Sequence, residues 1–344
     1  MSGLQQVRRS ARTVEGSAAH GLPQARWSPF EIAFWCVPIA VFFLLPDYLV
    51  FGSQVLIVGL FALSLDLVLG YAGIVSLGHA GFFGLGAYTA GLLAAHGWGE
   101  PLTGLAAGAV VAALAGFCVS FLVVRGQDLT RLMVTLGIGL MLYEAANKMA
   151  FLTGGVDGLS GVTMHKLLGT FEFDLEGRTA YLYSLVVLFL VFGGLRRLVR
   201  SPFGLSLRGI QQGPKRMPAI GANVRMRLVA AFTVSAAIAG VAGGLLAQTT
   251  QFVGLDSLGF SRSAELLIML VLGGAGRLYG ALIGAAVFMI AQDVLAGINP
   301  VYWQFWIGLL LMVIVLFARG GILGGLETAV SAVSARRARK GGAS

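Results

Sequence analysis

Long apolar runs separated by short charged segments fill almost the whole of this 344-residue chain. Runs able to cross ~30 Å of hydrocarbon fall near residues 30–50, 53–70, 75–96, 102–124, 130–152, 180–197, 228–250, 263–275, 281–297 and 302–318. They are continuous rather than alternating, so they predict helices, which satisfy every backbone group internally in lipid. The eighth run is short and predicts a bent element that crosses only as part of a larger unit. The pattern is that of an all-α integral membrane protein with about ten transmembrane helices, some broken or re-entrant.

One run departs from the rest. In Leu69–Ala90, Gly70, Gly73, Gly78, Gly81, Gly84 and Gly86 recur every two to five residues in an apolar setting. Exposed N–H and C=O groups in lipid cost several kcal/mol each, so protein or a water-filled cavity must cover such a backbone. Broken helices of this kind place backbone dipoles beside a solute, and the segment reads as part of a translocation pathway. His79 and Ser76 are its central polar side chains. His79 reads equally as a group donating to a freed carbonyl or as one touching solute, and Phe82 and Phe83 as an apolar constriction or as helix packing. A faint echo links Val68-Leu69-Gly70-x-Ala72-Gly73 to Val271-Leu272-Gly273-x-Ala275-Gly276, and predicts two related half-helices facing each other.

Composition agrees with this reading: hydrophobic residues make up 57%, charged residues 11%, and the mean hydropathy is +0.85. The 50 glycines suit close helix packing through small residues. The net charge is 24 − 15 = +9, concentrated at Arg8, Arg9, Arg12 and Arg26, at Arg196–Arg227 and at Arg336–Lys340. The positive-inside rule reads these as cytoplasmic segments rather than a nucleic-acid surface. With both termini cytoplasmic, ten crossings place Arg125–Arg131, Arg196–Arg227 and Gly273–Gly280 inside. Thr153–Thr179, with Asp157, Glu172, Asp174 and Glu176, then lies outside, as does Gln251–Ser261. The expected organisation is a tail over 1–28, a membrane domain over 29–320 with a cytoplasmic loop at 198–227, and a second tail over 321–344. The start of the chain does not read as a cleavable signal.

No enzyme constellation emerges. There is no phosphate-binding G-x-x-x-x-G-K-[ST], and Gly213-Pro214-Lys215 lacks both the upstream glycine and the following hydroxyl. His20, His79, His96 and His165 have no metal-ligand spacing, and no metal site is expected. Cys36 and Cys118 read as small buried hydrophobes. Mid-membrane ionisable residues, which ion-coupled carriers need, are nearly absent: Asp66 lies near a cytoplasmic helix end, Glu265 and Asp293 near outer ends, and Glu144 and Lys148 are spaced to neutralise each other. Energy therefore comes from elsewhere, or the pathway is passive. The loop Arg200–Arg225 is too long and too patterned for a tether. It ends in Ala219-Ile220-Gly221, a short apolar knob of the kind that docks in a groove of a cytoplasmic partner, although on charge alone it reads as an ordinary basic inside loop.

GYAGIVSLGHAGFFGLGAYTAG (70–91) resembles the signature segment of inner-membrane permease subunits of branched-chain amino acid ABC transporters. RGQDLTRLMVTLG (125–137), TGGVDGLSGV (153–162), RSPFGLSLRGI (200–210) with AIGANVRMRLVAAFTVSAAIAGVAGGLLA (219–247), and VLGGAGRLYGALIGAAV (271–287) are similar to that family's later segments, in its order. The resemblance covers Leu56 to Gly325. It implies a pseudo-symmetric core of broken helices, a second related permease subunit, two cytoplasmic ATP-binding subunits that hold ATP and Mg, a periplasmic solute-binding protein, and a multi-pass place in the bacterial inner membrane. The chain would then carry no ATPase site or cofactor of its own.

By matched position, the resemblance assigns Ser76, Gly78, His79, Phe82, Phe83 and Gly84 to the pathway. It assigns Arg208, Gln211, Lys215, Ala219, Ile220 and Gly221 to coupling with the ATPase, and Gly154, Gly155, Asp157, Gly158 and Gly161 to the outer loop. The chain departs from the family pattern in two places. Asp66 stands where the family has Asn, and Gln211, Gln212, Gly213, Pro214 and Pro218 stand where it has acidic residues and no proline. A helix-interior proline costs ~3 kcal/mol, so the coupling helix is expected to start at Pro214 or Pro218. The implied function is import of leucine, isoleucine and valine by alternating access. A urea or short-chain amide importer is the near alternative, and an ATP-independent channel or uniporter the alternative from another class.

Overall fold

The computed structural model describes residues 29–166, 171, 174, 176–300, 302–317, 321 and 324. The expected tails, apart from Gly321 and Gly324, and Glu172 of the acidic outward segment lie outside the described residues. Regular structure among these residues is helical throughout, with one isolated antiparallel bridge between Leu159 and Val253.

The chain divides into two units, residues 1–46 and 47–344. In the first, α1 (Pro29–Leu44) is an apolar helix with Pro38 inside it, where the missing N–H removes one helical hydrogen bond. Leu45 N–H donates to the Val41 carbonyl at 3.0 Å and continues its last turn.

The second unit contains α2 (Leu49–Asp66), α3 (His79–Ala95), α4 (Pro101–Val123), α5 (Asp128–Lys148), the single turn α6 (Ala150–Thr153) and α7 (Arg178–Arg200). It continues with α8 (Pro202–Gln212), α9 (Val224–Thr250), α10 (Phe260–Gly273), α11 (Leu278–Ile298) and α12 (Trp303–Phe317). Among the described residues, six stretches are long and apolar enough to cross a membrane: Pro46–Tyr71, Pro101–Val123, Leu129–Lys148, Arg178–Arg200, Val224–Thr250 and Leu278–Ile298. Each of the ten apolar runs read from the sequence holds one helix. Those in α3, α10 and α12 are only 17, 14 and 15 residues long.

Helix α9 is the centre of the unit, packed against α2, α3 and α4. The three-way contact works because Gly86 of α3, Gly108 of α4 and Gly240 of α9 meet backbone to backbone, and any side chain there would overlap the neighbouring carbonyls. Its N-terminus is capped by Asn223, whose Oδ1 accepts the Met226 N–H at 3.2 Å. On the other side of α2 lie α7 and α11. From Gly59 to Asp66 every residue of α2 is buried, the mark of a core helix rather than a lipid-facing one. Cys36 and Cys118, expected to be buried, are free thiols on exposed helix faces.

Candidate functional site

Helix α2 does not end at Asp66 but widens into a π-type turn over Leu67–Tyr71. Ile74 N–H closes it on the Val68 carbonyl at 2.9 Å, and Gly73 takes φ +71°. The chain then runs without regular structure to Gly78, where α3 begins. This break leaves N–H groups with no intrahelical partner, and neighbouring helices supply acceptors. Thr135 Oγ1 of α5 accepts from Leu77 N–H at 3.2 Å, and Ser263 Oγ of α10 accepts from Ala80 N–H at 3.0 Å.

At the first position of α3, His79 is fully buried. Its Nε2 lies 3.0 Å from Ser64 Oγ of α2 and 3.2 Å from Ser235 Oγ of α9. Ser64 Oγ already donates to the Phe61 carbonyl at 2.6 Å, and Ser235 Oγ to the Ser64 carbonyl. Both hydroxyl protons being committed, Nε2 carries the imidazole proton and donates to the two oxygens. Nδ1 is left as an acceptor with no partner among the described residues. The ring stacks on Phe61 at 5.9 Å and meets Phe82 edge-on at 5.8 Å.

The other residues expected in the pathway gather around this clasp. Phe83 lies on Phe61 with centroids 4.4 Å apart, and Phe82 packs edge-on against Phe232 of α9 at 5.6 Å. Gly78 abuts the Thr135 carbonyl, Gly84 abuts Leu258, and the buried Ser76 hydroxyl has no partner among the described residues. All six are interior, enclosed by α2, α5, α9 and α10.

A second break faces the first. Helix α10 stops at Gly273, Gly274 takes φ +100° and Gly276 φ +82°, and α11 starts at Leu278. Gly276 N–H donates to Asp66 Oδ1 at 2.7 Å, and its backbone lies directly against Gly70. The last glycines of the two echoed segments, Gly73 and Gly276, thus share the left-handed conformation that side chains resist, and the two breaks touch.

Helix α8 sits on the first break. Arg208 stacks over the Tyr71 ring at 5.0 Å from its centroid, and Gln211 lies against Gly73. The helix of this loop does not start at Pro214 or Pro218 as expected. It begins at Pro202, in the first turn where the absent N–H costs nothing, and it ends at Gln212. Pro214 falls in the turn beyond, and Pro218 opens a single 3₁₀ turn, Met217–Ile220. Lys215, Ala219, Ile220 and Gly221 are exposed, and Gly221 ends the turn at φ +79°. These four stand apart from the break that Arg208 and Gln211 touch.

The expected outer loop is a folded cap. Thr153 Oγ1 donates to the Ala146 carbonyl at 2.6 Å and accepts from Gly155 N–H at 3.2 Å. Gly154, Gly155, Gly158 and Gly161 all take positive φ, and Gly158 packs on Phe252. Leu159 N–H donates to the Val253 carbonyl at 2.8 Å, which seats the loop on α3 through Gly91, while Asp157 stays exposed. Glu144 and Lys148 are both exposed and are not among the ion pairs of the described residues. Ser64, Thr135, Ser235 and Ser263 were not singled out by sequence, and a lone hydroxyl inside an apolar run offers no signal. Arg262, 3.7 Å from Asp256 and 3.5 Å from Glu265, was also missed, although its i,i+3 spacing to Glu265 was readable.

Six helices long and apolar enough to cross a membrane, among the described residues, mark a multi-pass membrane protein with two facing chain breaks. The chain belongs to the family described as branched-chain amino acid transport system permease component, which matches residues 49–316. It is 29% identical over 317 residues to the high-affinity branched-chain amino acid transport system permease protein LivM of Escherichia coli, covering 86% of this chain and 71% of that one. It is 27% identical over 285 residues to the permease protein BraD of Pseudomonas aeruginosa, covering 77% and 91%. A probable permease protein LivH of Methanocaldococcus jannaschii is 26% identical over 191 residues, 55% and 59% of the two chains. No solved structure matches the chain.

Proposed function

We propose that this chain is a membrane-spanning subunit of an ABC importer that moves branched-chain amino acids inward, driven by ATP hydrolysis on two cytoplasmic ATP-binding subunits. It pairs with a second, related permease in the bacterial inner membrane, takes solute from a periplasmic binding protein, and holds no ATP or Mg itself. The observation that carries this reading is the seating of α8 on the first chain break, through Arg208 on Tyr71 and Gln211 on Gly73, in a chain matched to the family over residues 49–316. A passive channel has no use for an element that ties an exposed knob to a broken core helix.

In the proposed cycle the ATP-binding subunits grip Lys215, Ala219, Ile220 and Gly221 and displace α8. Arg208 and Gln211 pass the movement to Tyr71 and Gly73. Gly70 and Asp66 pass it to Gly276, so both breaks move together. Ser76, Gly78, His79, Phe82, Phe83 and Gly84 line the route that then opens, and Gly154, Gly155, Asp157, Gly158 and Gly161 meet the binding protein. Contacts support the proposed ten-crossing topology with both ends inside. Segments assigned to the cytoplasmic side touch one another at Tyr71–Arg208 and Gly70–Gly276. Segments assigned to the outer side touch at Leu159–Val253 and Gly99–His165. The test is disulfide trapping: Ile220→Cys crosslinks to cysteines around the groove of an ATP-binding subunit. Crosslinking absent at every groove position, in a complex that still transports, contradicts the coupling role.

A further inference from the structure

We propose that Arg262, Asp256 and Glu265 form a station for the zwitterionic head group of an α-amino acid, a site that rests on the importer reading above. Arg262 opens α10, and Asp256 lies in the 3₁₀ turn Leu255–Leu258 just before it. This segment runs along α3: Leu258 lies against Gly84, and Val253 against Gly91. Ser263, the neighbour of Arg262, accepts the Ala80 N–H. The N-terminal ends of the two short helices α3 and α10 therefore meet beside the charged cluster.

The pairs in this cluster are open. Arg262 stands 3.7 Å from Asp256 and 3.5 Å from Glu265, beyond the ~2.7–2.9 Å of a closed charge-assisted hydrogen bond. Arg178 and Glu176, a surface pair of the same chain, close to 2.8 Å. Two carboxylates thus share one guanidinium through long ion pairs. Next to them is a second orphan. The Tyr88 hydroxyl, on a residue only 5% exposed, has no hydrogen-bond partner among the described residues, and its helix packs against the turn Leu255–Leu258 that holds Asp256. Charged side chains in a membrane protein face the protein interior or a water-filled cavity, and here Asp256 at 72% and Arg262 at 38% side-chain exposure are open to an arriving solute.

One positive and two negative side chains give the cluster a net charge of −1, which a bound zwitterion leaves unchanged. A zwitterion fits by pairing its carboxylate with Arg262 and its ammonium with Asp256 and Glu265, completing alternation of charge. Urea or a neutral amide would part these ions and return no charge. The station therefore selects amino acids over amides.

The complete transporter, with both permeases, the ATP-binding subunits and the binding protein, is reconstituted in liposomes. Uptake of labelled leucine and labelled urea is measured with ATP hydrolysis in parallel. Arg262→Gln is expected to lower leucine uptake about tenfold or more while stimulated ATP hydrolysis stays near that of the unaltered transporter, and Arg262→Lys is expected to keep most uptake. Leucine uptake by Arg262→Gln at the unaltered rate overturns the station and leaves the importer reading intact. Parallel loss of uptake and hydrolysis in both Arg262 variants also overturns it, because it marks a structural role. An unaltered transporter that moves urea and no leucine overturns the station and the amino acid reading together.

Discussion

His79 shows how one buried side chain ties three helices where the backbone is broken. Its Nε2 spans Ser64 of α2 and Ser235 of α9 while its own backbone begins α3. The glycine spacing made the break readable, and the position of a histidine within it marked the residue. Its role was not readable, because its partners lie 15 and 156 residues away in runs where a serine is indistinguishable from any other small residue. His79→Ala strips two buried hydroxyls of their donor and opens a cavity beside Phe61 and Phe82. An unsatisfied buried polar group costs about 1–3 kcal/mol, so the purified transporter should unfold at a lower temperature, with His79→Gln recovering part of the loss. An unchanged melting temperature for His79→Ala would contradict the clasp. Asp66 shows the same limit of sequence reading. Its place near a helix end was legible, its bond to Gly276 N–H 210 residues on was not.

Among the elements, the apolar runs located helices well, because run length in lipid leaves one way of satisfying the backbone. Helix α8 was misplaced for a physical reason. Pro214 and Pro218 stood out as helix breakers, while the ordinary signal of Ser201 followed by Pro202 opened a helix whose buried face is Gly204, Leu207 and Ile210. The echo of Val68–Gly73 in Val271–Gly276 was readable as composition only, and the contact between Gly70 and Gly276 gives it a structural meaning. The turn beyond α8 is where coupling is expected to be most fragile. Gly221 holds φ +79° with open space where a side chain would stand, so substitution tests backbone conformation without a clash. Forcing an L-residue into that region costs roughly 1–2 kcal/mol, and Gly221→Val should displace Ile220 and leave ATP hydrolysis running without stimulation by loaded binding protein. Stimulation at the unaltered level would rule out a role for this turn.

Across the whole molecule, charge decides where energy enters. Residues 69–91 and 271–287 carry the two breaks, and Asp66 joins them through Gly276 N–H, with Arg208 stacked on Tyr71 nearby. In the proposed mechanism the basic loop 198–227 is the lever, through the contacts of Arg208 with Tyr71 and Gln211 with Gly73. The account's central claim is that movement of this lever, imposed by ATP hydrolysis elsewhere, drives amino acid import. The most direct test is uptake of labelled leucine in cells lacking this chain, complemented with the intact protein or with a version in which Arg208–Gly221 is scrambled. Restoration of leucine uptake by the intact chain alone, at equal membrane abundance of both, is the predicted result. Leucine flux that survives the scrambled segment would contradict the account and identify a channel or uniporter.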